Sequence, residues 1–184
     1  MRRLFIALIA SIALAACAST GVISERPLDG QDAPYRLDSG DRLRVIVFGQ
    51  EDLSGEYAVD GAGQISIPLI PAVPARGLTT DELEQSIVSV LSQTLLRDPS
   101  VSVEVLSFRP FFILGEVTNA GQYPFVAGMT VKTAVAIAGG YTHRANERHA
   151  RITRNLGDRI VEIAVDTNTA VQPGDTILIR ERYF

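Results

Sequence analysis

Few side chains in this sequence have the type and spacing to do covalent chemistry. The two histidines, His143 and His149, stand beside no obvious third ligand, and the only cysteine is Cys17. A structural zinc site needs four ligands drawn largely from Cys and His, so none is expected. Asp81 and Glu82 are adjacent carboxylates, but they follow Thr79 at the start of a helical pattern, where negative charge complements the helix dipole. Ser39-Gly40-Asp41 and Ser54 have no histidine base in a nearby motif, which leaves a hydrolytic triad without support. Gly61-Ala62-Gly63 lacks the spacing and the following helix of a phosphate loop. The expectation is a chain with no catalytic residues, no cofactor and no metal.

One charged cluster stands out. Residues 142–159 carry His143, Arg144, Arg148, His149, Arg151, Arg154 and Arg159 against Glu147 and Asp158. Arginine forks engage carboxylates at two points. Arg144, Arg148, Arg151 and Arg154 are therefore candidate contacts for an anionic polymer or for the acidic rim of a partner. The alternative is the solvated face of a strand pair. Arg148, Arg151 and Arg154 do not share one strand parity, so a single stripe is not assured. Phe108, Phe111 and Phe112 flank Pro110. Aromatic rings can stack on sugars, but this cluster is expected to form a core at a domain junction.

The elements that position these residues must come from 184 residues, 46% hydrophobic, 21% charged and 7% aromatic, with a formal charge of −4. That is one large domain or two small ones. The lone cysteine excludes an internal disulfide framework. The acidic balance argues against a general nucleic-acid binder.

The start of the chain is uneven. Arg2 and Arg3 precede an apolar run from Leu4 to Ala16, the pattern of a secretory signal peptide. The run is short for a membrane span, which needs about 20 apolar residues. It ends in Leu14-Ala15-Ala16-Cys17, which resembles the lipobox of bacterial lipoproteins. That resemblance implies diacylglycerol on the Cys17 sulfur and cleavage after residue 16, the alternative being a plain signal peptide that contains a cysteine. Each buried methylene of an acyl chain contributes about 0.8 kcal/mol to anchoring. By the same resemblance to bacterial lipoproteins, in which an aspartate at this position favours inner-membrane retention, Ala18 implies sorting to the outer membrane. Residues 18–34 are small, polar and broken by Gly and Pro, a flexible tether.

Regular patterning begins at Tyr35. Strands are expected over 42–48, 57–59 and 64–67, with Asp60-Gly61-Ala62-Gly63 as a hairpin signal. Pro68, Pro71 and Pro74 should keep the chain outside any ladder. A helix over 80–95 has Thr79 as N-cap and Glu82 completing a capping box, with Leu83, Ile87, Val90, Leu91 and Leu95 on one face. Val101, Val103 and Val105 alternate with polar residues as a half-buried strand. A second unit follows, with strands over 111–114 and 122–126, a short helix over 131–138 closed by Gly139-Gly140, strands over 150–154 and 159–165, and a last strand over 176–180. Leu37-Asp-Ser-Gly-Asp41 echoes Val171-Gln-Pro-Gly-Asp175, each launching an apolar strand. The echo reads as shared turn chemistry, with both aspartates accepting backbone hydrogen bonds.

The residues from Tyr35 through Arg42-Leu-Arg-Val-Ile-Val-Phe-Gly49 resemble the opening of the polysaccharide biosynthesis/export domain. The likeness continues through Asp52-Leu-Ser-Gly55, Val59-Asp-Gly61, Ile67-Pro68 and Gly77-Leu-Thr79 to Asp98-Pro-Ser-Val101. Leu114-Gly-Glu-Val117, Gly121-Gln-Tyr123, Met129-Thr-Val131 and Ala138-Gly-Gly-Tyr-Thr142 resemble the SLBB module, a β-grasp-like domain. The resemblance implies an α+β chain divided into a signal peptide (1–16), a lipidated tether (17–34), an export domain (35–107) and an SLBB domain (108–184). It implies an outer-membrane lipoprotein facing the periplasm of a Gram-negative bacterium. Such a protein would work as a homo-oligomer without catalysis in the export of capsular or extracellular polysaccharide, beside an inner-membrane polysaccharide copolymerase. The sequence after Ala16 holds no segment patterned to cross a membrane, so a separate outer-membrane β-barrel is an expected partner. The rival expectation is a monomeric lipoprotein that binds a soluble glycan as a sensor or adaptor.

Overall fold

The computed structural model describes residues 34–156 and 159–182. The signal peptide, Cys17, nearly all of the tether and the last two residues lie outside the described residues. The described residues form one compact unit.

Alternation builds the first sheet. Along β1 (Arg42–Val47) the buried residues are Leu43, Val45 and Val47, and the exposed ones Arg42, Arg44 and Ile46. A 3-10 turn at Glu51–Leu53 leads to β2 (Gly55–Ala58), which pairs antiparallel with β1. Two short strands follow, β3 (Gln64–Ile65) and β4 (Val73–Pro74), paired with each other. Pro74 thus joins a ladder from which its type was expected to exclude it. It sits opposite Gln64 at the end of a two-residue ladder, where little pairing is given up, and the next two residues, Ala75 and Arg76, both donate backbone bonds to the Gly63 carbonyl. Helix α1 (Thr80–Thr94) starts at the expected capping box: Glu82 N–H donates to the Thr79 hydroxyl, and Thr79 N–H to the Glu82 carboxylate. Its face of Leu83, Ile87 and Leu91 is buried against β4 and β5 (Val101–Ser107), whereas Leu95 lies beyond the helix and is exposed. β5 completes a three-stranded sheet in the order β2-β1-β5.

The second sheet is mixed and five-stranded. β6 (Phe111–Gly115) pairs antiparallel with β7 (Gly121–Tyr123) and parallel with β10 (Thr176–Ile179). β8 (His149–Asn155) lies between β10 and β9 (Ile160–Asp166), antiparallel to both. Helix α2 (Val131–Ile137) buries Val131, Ala134 and Val135 and carries its own capping box on Thr130 and Thr133. The result is the expected α+β class. Among the described residues no helix is long and apolar enough to cross a membrane, which says nothing of a β-barrel.

Gly115 shows why one motif residue is what it is. It has φ +88°, and a Cβ there would stand 2.0 Å from the Ile179 carbonyl oxygen of the paired strand. Backbone cannot yield to that contact. Gly115→Ala is therefore expected to cost at least the ~1–3 kcal/mol of a strained backbone position, read as a lowered midpoint in chemical denaturation.

Candidate functional site

Both Gly-Asp turns adopt the same conformation. In each, the aspartate N–H donates to the carbonyl three residues earlier (Asp41 to Asp38, Asp175 to Gln172), at 3.2 and 3.1 Å. In each, a glycine with positive φ precedes the aspartate, Gly40 at +95° and Gly174 at +83°. The third position of a type II turn requires that sign, which glycine adopts without steric cost. Each carboxylate then folds back onto its own turn: Asp41 accepts from Asp38 N–H at 2.8 Å and Asp175 from Gln172 N–H at 2.7 Å. Asp41 and Asp175 are both fully buried. A buried carboxylate needs paired charge and hydrogen bonds to offset its desolvation, and each receives an arginine.

Asp175 is held by Arg154. Nε and Nη2 contact its two oxygens at 2.8 and 2.7 Å, and Nη2 also reaches the Ala170 carbonyl. Arg154 is 7% exposed. It is therefore removed from the candidate surface contacts. It lies on the parity of Ala150 and Ile152, the buried side of β8, and its charge is spent on Asp175.

The other three candidates do not converge with it. Arg144 forks onto Glu181, both groups exposed, and that hydrogen bond raises the arginine's already high pKa. Arg151 pairs with Glu162 of β9 at 2.8 Å across an exposed face. Arg148 is exposed in the loop before β8, its N–H bonded to Asn146. His143 and His149 are exposed, His149 at the first position of β8. The phenylalanines divide by strand parity. Phe111 is buried, Phe112 is 40% exposed on the opposite face of β6, and Phe108 stacks edge-on against Tyr35 and Phe125. The junction expectation fits Phe108, which bridges Tyr35 and Phe125; Phe111 is buried within the second sheet, stacked on Tyr123 of the adjacent strand, and Phe112 departs from the core altogether.

A cluster that the sequence did not single out joins the two sheets. Asp41 Oδ1 accepts the backbone N–H of Arg109 at 2.9 Å, and Asp41 Oδ2 accepts the Tyr35 hydroxyl at 2.6 Å. The Arg109 guanidinium donates to the Tyr35 hydroxyl at 2.9 Å and lies 3.6 Å from Asp38 and 3.7 Å from Asp41. On its other side, a Cβ at Gly174 would meet Arg109 Nε at 2.5 Å, and Gly174 N–H donates to the Pro110 carbonyl. Arg109 is thus clasped between the first turn and the second. Arg76 adds a further ion pair to Asp38 at 3.0 Å.

Burial and the bond to Asp41 push the Tyr35 hydroxyl well above the ordinary tyrosine range. A raised folded-state value means the contribution is complete below the unfolded pKa of about 10 and is lost as pH climbs above it. Tyr35→Phe, which deprives Asp41 of one donor, is expected to cost about 1–3 kcal/mol at neutral pH. It should also flatten the alkaline decline in stability. Denaturation midpoints measured from pH 7 to 11 check both.

The arrangement is that of a two-part α+β scaffold in which the buried charges lock turns. Among the described residues no group of three or more His, Cys, Asp or Glu could hold a metal ion. Comparison with known proteins gives this scaffold a family. Residues 29–106 match the family described as polysaccharide biosynthesis/export protein, and residues 110–163 match the SLBB domain. The chain belongs to the polysaccharide biosynthesis/export family, with an SLBB domain following the export domain. It is 37% identical over 166 residues to the exopolysaccharide production protein ExoF of Rhizobium meliloti, covering 82% of this chain and 38% of that protein. It is 25% identical over 180 residues to the EPS I polysaccharide export outer membrane protein EpsA of Ralstonia nicotianae, covering 83% of this chain and 47% of that protein. Over 113 residues it is 26% identical to the polysialic acid transport protein KpsD of Escherichia coli, covering 60% of this chain and 20% of that protein. The chain spans less than half the length of each of these relatives.

Proposed function

We propose that this protein is an outer-membrane-anchored periplasmic lipoprotein for the export of capsular or extracellular polysaccharide. The reading rests on one observation above all: an export domain and an SLBB domain occur in that order, and relatives sharing most of this chain are named for exopolysaccharide production or export. We assign residues 35–107 to the export domain and 108–184 to the SLBB domain. The protein would act as an oligomeric conduit or adaptor, by shape and without catalysis. Its buried charges support this: Arg154–Asp175 and Arg109–Asp41 are committed to holding turns. Arg144, Arg148 and Arg151 remain the exposed candidates for contact with polymer or partner. An inner-membrane polysaccharide copolymerase and a separate outer-membrane β-barrel are the proposed partners.

Deleting the gene should remove polysaccharide from the cell surface, and reintroducing it should restore it. Unchanged surface polysaccharide, with no paralogue substituting, would overturn the reading. Cross-linking followed by purification should recover the two membrane partners. The anchor has its own test. Cys17→Ser should move the protein from the membrane fraction to the soluble periplasm; persistent membrane attachment would contradict lipidation at Cys17.

A further inference from the structure

The extensive packing of helices and strands lies within the first part of the chain, around β1 and α1, or within the second, around β8 and β10. The angle between the two parts therefore depends on how they are connected. Only three residues, Phe108, Arg109 and Pro110, separate β5 from β6. Each of them is pinned. Phe108 stands edge-on between Tyr35 and Phe125, with ring centroids 4.9 and 5.5 Å away. Arg109 donates its backbone N–H to Asp41 and its guanidinium to the Tyr35 hydroxyl. The Pro110 carbonyl accepts Gly174 N–H at 3.1 Å. Tyr35 thus acts at two of the three positions, although it belongs to neither sheet.

The segment that carries Tyr35 is lightly held. Firm attachment begins at Leu37, which is 1% exposed. Its N–H donates to the Leu78 carbonyl and its carbonyl accepts Gly77 N–H, both at 2.8 Å. Among the described residues, no backbone group of residues 34–36 joins a backbone hydrogen bond. Arg36 reaches the Gly77 carbonyl and Glu82 through its side chain alone, and that ion pair is exposed. Exposed pairs contribute little. A cavity of about 450 Å³ is lined by residues 34–36 on one side and by residues 79–82, at the start of α1, on the other. Segments with few backbone bonds and much exposure open at low free energy.

We infer that residues 34–36 are a strap that sets the angle between the two parts. Seated, Tyr35 fixes the linker. Lifted about Leu37, the strap takes away one of the two ring partners of Phe108 and an acceptor of Arg109, and the second part turns about residues 108–110. A pull on the chain before Pro34, or a partner that captures the strap, changes the angle without disturbing either core. Hinges are commonly built this way, from a few residues at the ends of elements. The inference depends neither on the export role nor on lipidation at Cys17.

The test uses the full chain carrying Cys17→Ser, with spin labels at Gln85→Cys in α1 and Ala164→Cys in β9, both exposed positions. Pulsed electron paramagnetic resonance reads the distance between them. The parent should give one narrow distribution. Tyr35→Ala should broaden it while circular dichroism shows both sheets intact. Tyr35→Phe keeps the ring against Phe108 and should broaden it less; it covers the case in which the alanine variant does not fold. Thr79→Ala, which weakens the cap of α1 and leaves the linker alone, should lower stability and keep the distribution narrow. The inference is overturned by a broad distribution in the parent, by a parent-like width in the tyrosine variants that fold, or by equal broadening in Thr79→Ala.

Discussion

Replacing Arg154 with alanine should destabilise the protein by about 3–5 kcal/mol, the range found when one partner of a buried ion pair is removed. Domains of this size are stable by only about 5–15 kcal/mol in total, so much of the population should unfold under conditions that the parent tolerates. The cause is Asp175. Its carboxylate is 1% exposed and would keep only the Gln172 N–H after losing both guanidinium contacts. Arg154→Lys retains the charge but cannot place donors on both carboxylate oxygens and the Ala170 carbonyl at once, so it should be only partly tolerated. The double variant Arg154→Met with Asp175→Asn should be less unstable than the sum of its parts, because no charge is then left buried alone. Arg151→Ala and Arg144→Ala remove exposed pairs, which contribute little to stability, and should each leave the denaturation midpoint almost unchanged. Urea denaturation of the series gives the comparison directly. Equal small effects at all three arginines would return Arg154 to the surface cluster.

The second large effect is expected at Asp41. Asp41→Ala strands three donors at once, namely the backbone N–H groups of Asp38 and Arg109 and the Tyr35 hydroxyl. It also takes one of two carboxylates from Arg109, leaving Asp38 at 3.6 Å. A loss of about 3–5 kcal/mol is expected, since buried donors without partners each cost about 1–3 kcal/mol and part of that is recovered by water and relaxation. Asp41→Asn keeps the shape and one acceptor oxygen and should cost about half as much. A readout specific to the junction is amide hydrogen exchange at Arg109, which should accelerate far more than exchange in β9. A uniform acceleration would mean that Asp41 supports global stability without a particular role at the junction.

Much of the fold was legible because its signals are local. Thr79 and Glu82 announced the start of α1 three residues apart, and both hydrogen bonds of the box are formed. The alternation of Leu43, Val45 and Val47 set the buried face of β1. The two Gly-Asp echoes were correctly read as one turn chemistry. Pro74 departs from the expectation for its residue type because a two-residue ladder hardly needs the donor that proline lacks. Arg154 is close in sequence to the exposed arginines but lies on the opposite, buried face of β8. The signal that separates it was present: Ala150, Ile152 and Arg154 share a parity, and a buried arginine implies a buried acid such as Asp175. The Tyr35–Asp41–Arg109 cluster had no local signal, since Tyr35 and Arg109 are 74 residues apart and meet only through the fold.

The central proposal is that this chain serves polysaccharide export. The most direct measurement is the partition of newly labelled polymer between the outside and the inside of cells that carry, lack or regain the gene. The account predicts that polymer synthesis begins normally in cells lacking the gene but that the label stays inside, and that the restored gene returns it to the exterior. Normal release without the gene and without a substitute would contradict the account, as would a loss of synthesis with no polymer retained.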